Sequence, residues 1–503
     1  MSAPAVELRG ITKRFGPVLA NDRVDLVVEP GTIHGIVGEN GAGKSTLMNV
    51  LYGYYQADAG TILVDGEVRR IARPIDAIRA GIGMVHQHFM LVEPFTVIEN
   101  LLLGAEGGPL LGRGRARLRV ELERIGRSYG LEVDPDAKVG ELPVGLQQRV
   151  EILKALCRGA RVLVLDEPTG VLTPQEADQL FRILASLREQ GRTVVLITHK
   201  LREIMAVTDR VSVMRGGRMV AHRRTAATDP EELAALMVGR TIRLRPDKSP
   251  SRPGRAVLEV RDLRIVDERG VARVDGVSFD VRAGEIVGVA GVAGNGQSEL
   301  LEAIGGIRPF RGEIRIDGVP VAADPSGRPQ GLGHVPEDRL RMGLVGPFAA
   351  AENAILGYQR RPAWVANGML RRRRIHDACA LWLERYDIRP RAPSLPAIAF
   401  SGGNQQKLVL ARELEHDPTL LLVGQPTRGV DIGAIEFIHQ RLVAMRDAGK
   451  AVLLVSVELD EIMALADRIL VMFSGRIVGE LSAEEADERR IGLLMAGLRA
   501  EAA

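Results

Sequence analysis

The sequence predicts two tandem α/β domains, each a mainly parallel sheet with helices on both faces. Three observations predict this. The chain repeats itself, with Gly38 and Gly291 standing 253 positions apart and Asp166 and Gly424 standing 258 apart. Short, wholly apolar runs alternate with amphipathic helical patterns, the signature of a buried parallel sheet wrapped by helices. In both halves an apolar run leads into a glycine-rich turn at the corresponding place, where such sheets bind their ligands.

The repeat is read from several paired segments. VELRGI (6–11) is echoed by LEVRDL (258–263), and GTILVDG (60–66) by GEIRIDG (312–318). LPVGLQQRVEILKAL (142–156) matches FSGGNQQKLVLAREL (400–414). VLVLDEPT (162–169) matches LLLVGQPT (420–427), and VVLITHKLREIM (194–205) matches VLLVSVELDEIM (452–463). A period this long means a duplicated domain, because solenoid repeats are far shorter. The stretch 241–257, rich in Pro, Arg and Ser and without apolar period, is the expected linker between domains 1–240 and 258–503. VLVLDE (162–167) and VVLIT (194–198) read as buried strands. The patterns 147–159 and 176–191 read as helices.

Composition narrows the class. The 503 residues are 46% hydrophobic and 26% charged, with a formal net charge of +3. That is globular and carries no nucleic-acid footprint of its own. The one dense basic run, Arg371 to Arg374, reads as a solvated helix face, with an anionic lipid or RNA contact as the alternative. Cys157 and Cys379 are the only cysteines and stand in no metal-ligand spacing, as in a reducing compartment. The N-terminus has no basic region followed by an apolar run, and no stretch approaches the ~18 apolar residues of a spanning helix. A role in transport would therefore need other subunits to supply the pore.

Two motifs in the first half carry chemistry. GENGAGKS (38–45) follows the strand-like IHGIV and fits G-x-x-x-x-G-K-[ST], the phosphate-cradling loop. The cradle comprises Gly38, Glu39, Asn40, Gly41, Ala42, Gly43, Lys44, Ser45 and Thr46. Its glycines let backbone N–H groups converge on phosphate oxygens, at the N-terminus of the next helix. Lys44 is suited to bridging β- and γ-phosphates, and Ser45 to ligating Mg²⁺. VLVLDE ends a strand with two carboxylates that should point differently. Asp166 suits the Mg²⁺ shell and Glu167 the general base that polarises an attacking water.

The order of phosphate loop, glutamine, Gly-Gln-Gln-rich segment, strand-DE and strand-TH resembles the nucleotide-binding subunits of ABC transporters, over the whole chain and twice. The resemblance implies ATP and Mg²⁺ as ligands and tandem P-loop NTPase domains paired head to tail about a pseudo-twofold axis. It implies that Gln87 senses Mg²⁺ and water and contacts membrane subunits, that His199 contacts the γ-phosphate, and that Phe15 stacks on adenine. It also implies that FSGGNQQK (400–407) is the signature segment. There Ser401, Gly402 and Gly403 reach the γ-phosphate held by the opposite domain.

The second half departs from this pattern. Gln297 stands for Lys44, Glu337 for Gln87, Gly424 and Gln425 for Asp166 and Glu167, and Val457 for His199. No aromatic occurs at 266–274, where Phe15 would map. In the first half's own signature, Pro143 replaces the serine and Val144 a glycine. Sorted by head-to-tail pairing, one site is complete: Lys44, Ser45, Gln87, Asp166, Glu167 and His199 with Ser401, Gly402 and Gly403. The other, with Pro143 and Val144, lacks cation, metal-shell carboxylate, base and histidine. One hydrolysis per cycle is expected, with pairing inside one chain or with a second copy.

The fused duplication resembles importer ATPases for simple sugars and nucleosides, and the segments 170–181, 425–439 and 453–462 look most like the purine-nucleoside branch. That resemblance implies two transmembrane permease subunits, an extracytoplasmic solute-binding lipoprotein and a place on the cytoplasmic face of the membrane, with no nucleic-acid partner. A simple-sugar importer such as one for ribose or galactose is the alternative. A soluble double-headed ATPase acting on ribosomes or DNA is a competing class, marked by a long charged linker and two complete sites. A non-catalytic scaffold is a third.

Overall fold

The structure is a computed structural model that describes residues 3–86, 89–104, 111–170, 172, 174–242, 246–292, 294–324 and 327–498. The chain divides into two compact units, Met1–Ile242 and Arg243–Ala503. Each contains a six-stranded sheet. In the first unit the order is Arg218–Arg224, Arg210–Arg215, Ile33–Gly38, Thr193–Ile197, Val162–Asp166 and Ile82–Val85. All neighbours pair in parallel except the edge strand Arg218–Arg224. The second unit repeats this with Leu332–Val335, Leu420–Gly424, Ala451–Ser456, Glu285–Ala290, Arg468–Phe473 and Arg476–Ser482. The central strands are buried at every position, which explains their unbroken apolar runs.

Each unit also carries a four-stranded antiparallel sheet, which the expectation of one parallel sheet per domain had omitted. In the first it runs Val18–Val28, Val6–Phe15, Ala59–Val64 and Glu67–Val68. Val24, Leu26 and Val28 alternate inward with period two, while Asp25 and Val27 face out. These strands cover the same core as Leu47, Met48 and Leu51 of helix Lys44–Tyr52. Burial of each such side chain contributes roughly 1.5–3 kcal/mol. The helix carrying the phosphate loop is thereby clamped between two sheets.

The predicted helices form as Val144–Cys157 and Pro174–Glu189, and the predicted strands as Val162–Asp166 and Thr193–Ile197. Of the expected linker, the part from residue 246 onward is held against the second unit. Lys248 Nζ lies 2.9 Å from Asp467 Oδ1, and Arg446 donates to the Ser249 carbonyl at 2.9 Å. Cys379 is buried in the core and Cys157 is half-buried, and burial pushes both thiols up to about 12. Arg371 to Arg374 are exposed, at the start of helix Arg372–Arg385. No helix among the described residues is long and apolar enough to cross a membrane.

Candidate nucleotide site

In the first unit, strand Ile33–Gly38 delivers the loop and helix Lys44–Tyr52 receives it. The turn needs glycine at Gly43, whose φ is 99° and where a Cβ would sit 2.2 Å from the Ala20 carbonyl oxygen. Lys44 is only 5% exposed and donates to the Gly38 and Glu39 carbonyls at 2.7 and 3.0 Å. Burial pushes the ammonium down, opposed by the carboxylates of Glu167, Asp166 and Glu39. The helix N-terminus, the loop N–H groups and this ammonium make a positive cradle.

The carboxylates that the sequence places together are together. Asp166, buried at the end of its strand, accepts from the Ser45 hydroxyl at 3.3 Å. Burial pushes its carboxyl up, offset first by that hydrogen bond. A buried carboxylate beside a hydroxyl fits a hard cation with oxygen ligands, so Ser45 and Asp166 suit Mg²⁺. Glu167 turns away, as alternation predicts, but by a sharper device: its φ is +48° and its N–H donates to the Ile197 carbonyl at 2.8 Å. Such a backbone costs about 1–3 kcal/mol and clusters at functional sites. It brings the Glu167 carboxylate 2.9 Å from His199 Nδ1. That hydrogen bond, more than any other cause, holds the Glu167 carboxyl below its usual range despite burial. At neutral pH the group is an ionised base aimed by an imidazole.

Phe15 ends strand Val6–Phe15, 41% exposed, with its ring edge-on to Tyr55 at 5.1 Å and Lys13 Nζ 5.4 Å from its centroid. An exposed aromatic backed by a second ring is a platform for a planar base. Gln87 lies outside the described residues.

The second unit has the same backbone with different side chains. Gly296 repeats the Gly43 geometry, with φ 100° and a Cβ that would meet the Arg273 carbonyl at 2.2 Å. Gln297 folds inward like Lys44 and donates to the Val292 carbonyl at 3.1 Å, but brings no charge. Gln425 keeps φ +47° and the strand-to-strand bond, its N–H to the Val455 carbonyl at 2.8 Å. Its side chain accepts from the Val457 backbone N–H at 3.1 Å, replacing the missing histidine. The serine of the second loop faces the residue that stands for Gln87: Ser298 Oγ donates to Glu337 Oε2 at 2.5 Å. Gly424 makes room for it, since a Cβ there would lie 2.5 Å from Glu337 Cγ.

Residues 21–170 and 274–428 each match the ABC transporter family. The chain belongs to that family. It is 46% identical over 498 residues to the nucleoside import ATP-binding protein NupA of Lactococcus lactis, covering 98% of each chain. To the guanosine import ATP-binding protein NupO of Bacillus subtilis it is 47% identical over 496 residues, 98% of this chain and 97% of that one. The ribose import ATP-binding protein RbsA 1 of Rubrobacter xylanophilus is 43% identical over 511 residues, 99% of each. Domains of this ABC type bind ATP and hydrolyse it, the chemistry that the first loop and its carboxylates are built for.

In this ABC protein the two segments 142–149 and 400–407 differ at their helix caps. Ser401 caps helix Gly402–Leu414, accepting from the Asn404 side-chain amide at 2.8 Å and from its backbone N–H. Gly402 and Gly403 leave no room for side chains: a Cβ would lie 2.7 Å from Arg339 Nη2 and 2.7 Å from Asp431 Oδ2. Pro143 stands at the cap of helix Val144–Cys157 with no side-chain cap bond. Sequence reasoning missed two supporting residues. Asn21, fully buried, donates to the Gly43 carbonyl at 3.1 Å and pins the first loop. Arg339 donates to Gln405 Oε1 at 3.3 Å and to the Arg428 carbonyl at 2.9 Å, bracing the second signature. No pattern marked Asn21, which opens the polar run Asn21–Arg23 before the alternation starts at Val24. None existed for Arg339.

Proposed function

We propose that this chain is the ATP-hydrolysing subunit that energises an ABC importer, with nucleosides as the transported solutes. One observation carries the hydrolytic part. In the first unit, buried Lys44 lies on its loop, Ser45 meets Asp166, and Glu167 meets His199. In this reading 1–240 and 258–503 are the two nucleotide-binding domains, with 241–257 between them. Gly38, Glu39, Asn40, Gly41, Ala42, Gly43, Lys44, Ser45 and Thr46 cradle the phosphates and Phe15 stacks on adenine. Ser45, Asp166 and Gln87 hold Mg²⁺, which when bound neutralises charge on the β- and γ-phosphate oxygens. Glu167 takes a proton from the attacking water, and His199 fixes its carboxylate and faces the γ-phosphate. Ser401, Gly402 and Gly403 supply the donors that close this site, from the same chain paired head to tail or from a second copy.

The import reading draws on the named activities of the relatives, which share about half of this sequence over nearly its whole length. It calls for two permease subunits, an extracytoplasmic solute-binding lipoprotein and a position on the cytoplasmic face of the membrane. ATP-driven closure and product release would then alternate access in the permease. The ribose import relative, at 43% identity, favours a simple sugar as the second reading. Uptake of labelled guanosine and labelled ribose, in cells with and without this subunit, tests both. Guanosine uptake lost with the subunit supports the proposal. Loss of ribose uptake alone transfers it to the sugar, and loss of neither rejects import of both.

A further inference from the structure

The four arginines at 371–374 stand where a helix least favours them. Helix Arg372–Arg385 begins there, and its N-terminal end carries the positive pole of the macrodipole. Arg371, at the cap, makes no side-chain cap bond, and the first turn holds no acidic residue. Other helices of this unit are capped by Ser401, Asp431 and Asp487, whose side chains each accept from a backbone N–H. Among the described residues none of the four guanidinium groups is ion-paired; the carboxylate of Asp377, in the same surface hollow, lies 3.9 Å from His376 Nδ1 instead. Helix stability therefore does not explain the run.

Apolar side chains stand beside it. Residues 365–370 form a hairpin, Val365–Ala366 against Met369–Leu370. Its turn is Asn367 and Gly368, with φ of 51° and 75°, the doubly left-handed form that suits a two-residue loop. The hairpin is anchored: the Arg371 N–H donates to the Trp364 carbonyl at 2.8 Å, and the Trp364 ring meets Trp382 edge-on at 6.0 Å. It ends in Met369, 72% exposed, and Leu370, 49% exposed, directly before the arginines. Leu381, on the helix and 52% exposed, lines the hollow with them. Unpaired guanidinium groups flanked by outward apolar side chains match anionic headgroups above an acyl boundary. A nucleic-acid strand would ask for exposed rings on which bases stack, and Trp364 and Trp382 are buried.

We propose that this corner of the second unit docks on an anionic lipid bilayer. Arg371 to Arg374 meet headgroup phosphates, their stems lying along the surface, while Met369 and Leu370 enter the boundary below. The contact needs neither nucleotide nor permease, so it goes beyond the importer reading and its outcome is separate from that reading's. A chain working at a cytoplasmic membrane face meets a surface of this charge.

The test is co-sedimentation of the full chain with vesicles of phosphatidylcholine alone or mixed with phosphatidylserine, at about 0.15 M salt. The chain should sediment with the mixed vesicles and not with the neutral ones. It should come off at about 1 M salt, where the Debye length is ~3 Å. Arg372→Gln, Arg373→Gln and Arg374→Gln together should weaken binding by roughly a hundredfold, from about fivefold for each arginine near such a surface. Met369→Ser should weaken it by about tenfold, the lower end for burying such a side chain. Arg70→Gln, Arg79→Gln and Arg224→Gln together, at exposed arginines of the first unit, remove the same charge elsewhere and should change binding little. All these side chains are exposed, so the variants fold, as melting curves check. No binding to mixed vesicles, equal binding to neutral ones, or no loss in either the 372–374 variant or Met369→Ser overturns the inference. So does an equal loss in the first-unit control, or binding of an oligoribonucleotide in preference to the mixed vesicles at the same salt.

Discussion

Replacing Glu167 with glutamine separates chemistry from structure, because the chain already holds a glutamine in that setting. Gln425 occupies the equivalent position with φ +47° against +48°, and makes the equivalent backbone bond at the same 2.8 Å. The left-handed backbone therefore costs both residues alike. Glutamine at 167 retains an oxygen to accept from His199 Nδ1, now 2.9 Å from Glu167 Oε1. What changes is an ionised acceptor for a neutral one, a loss of about 1 kcal/mol. For a unit of this size that lowers Tm by about 2–4 °C. The loss in turnover should be far larger. A positioned general base contributes about 10²–10⁴-fold, or roughly 2.7–5.4 kcal/mol of barrier.

The assay is phosphate release by the assembled transporter, beside binding of a fluorescent ATP analogue and thermal melting. Turnover should fall at least a hundredfold while ATP binding persists. Acidification gives a second check. His199 and the nearby lysines hold the folded carboxyl below its unfolded value of 4.5. Its stabilisation is thus complete above pH 4.5 and is lost as pH falls through the folded value. The Tm gap between wild type and Glu167→Gln should close below that pH. Turnover within tenfold of wild type, or a Tm collapse at neutral pH, would refute the assignment of Glu167 as base.

Three other outcomes are expected. Lys44→Ala should lower ATP turnover by about 10²–10³, and Gln297→Ala far less; equal losses in a phosphate-release assay would contradict the asymmetry of the two loops. Gly43→Ala should destabilise the first unit by about 2–4 kcal/mol, through left-handed strain and the 2.2 Å approach to the Ala20 carbonyl. Gly41→Ala, with open space around it, should cost only the strain, and melting curves compare them. Glu413→Gln should cost about 3–5 kcal/mol, because it leaves the Arg412 and Arg328 guanidinium groups without the fully buried carboxylate that neutralises them. Burial opposes ionisation there, but the two arginines hold the Glu413 carboxyl down at about 2. That stability is full above pH 4.5 and fades toward pH 2, as acid melting should register.

Local chemistry was the legible part of this molecule. Lys44, Ser45, Asp166 and Glu167 follow from motifs only a few residues long, because a strand end and a helix start fix them without distant help. Buried strands were equally clear, since burial on both faces leaves no polar position to blur the run. The antiparallel sheets were less so. Strand Val6–Phe15 changes register between Leu8 and Ile11 and again near Lys13, so the alternation that Val6 and Leu8 begin does not carry through the strand. Glu337 reads in sequence as a lost glutamine. Only the pairing of Leu332–Val335 with Leu420–Gly424 brings it beside Gly424 and Ser298. Glu337 and Gly424 stand almost ninety positions apart along the chain, and no local pattern encodes their meeting.

The second site has not simply decayed, because its substitutions depend on one another. Drift that removed an aspartate would leave a void at the strand end, yet the Glu337 side chain fills the place beside Gly424. Loss of a histidine would leave the carboxamide of Gln425 without its donor, yet the Val457 N–H takes that role. Asn21, which pins the first loop by its Gly43 carbonyl, is matched in the second unit by fully buried Val274, an apolar residue suited to that core. Residues in contact are coupled, so reverting one member alone sets it against the others. An aspartate placed at 424 would have to displace Glu337 from the serine before it could ligate anything.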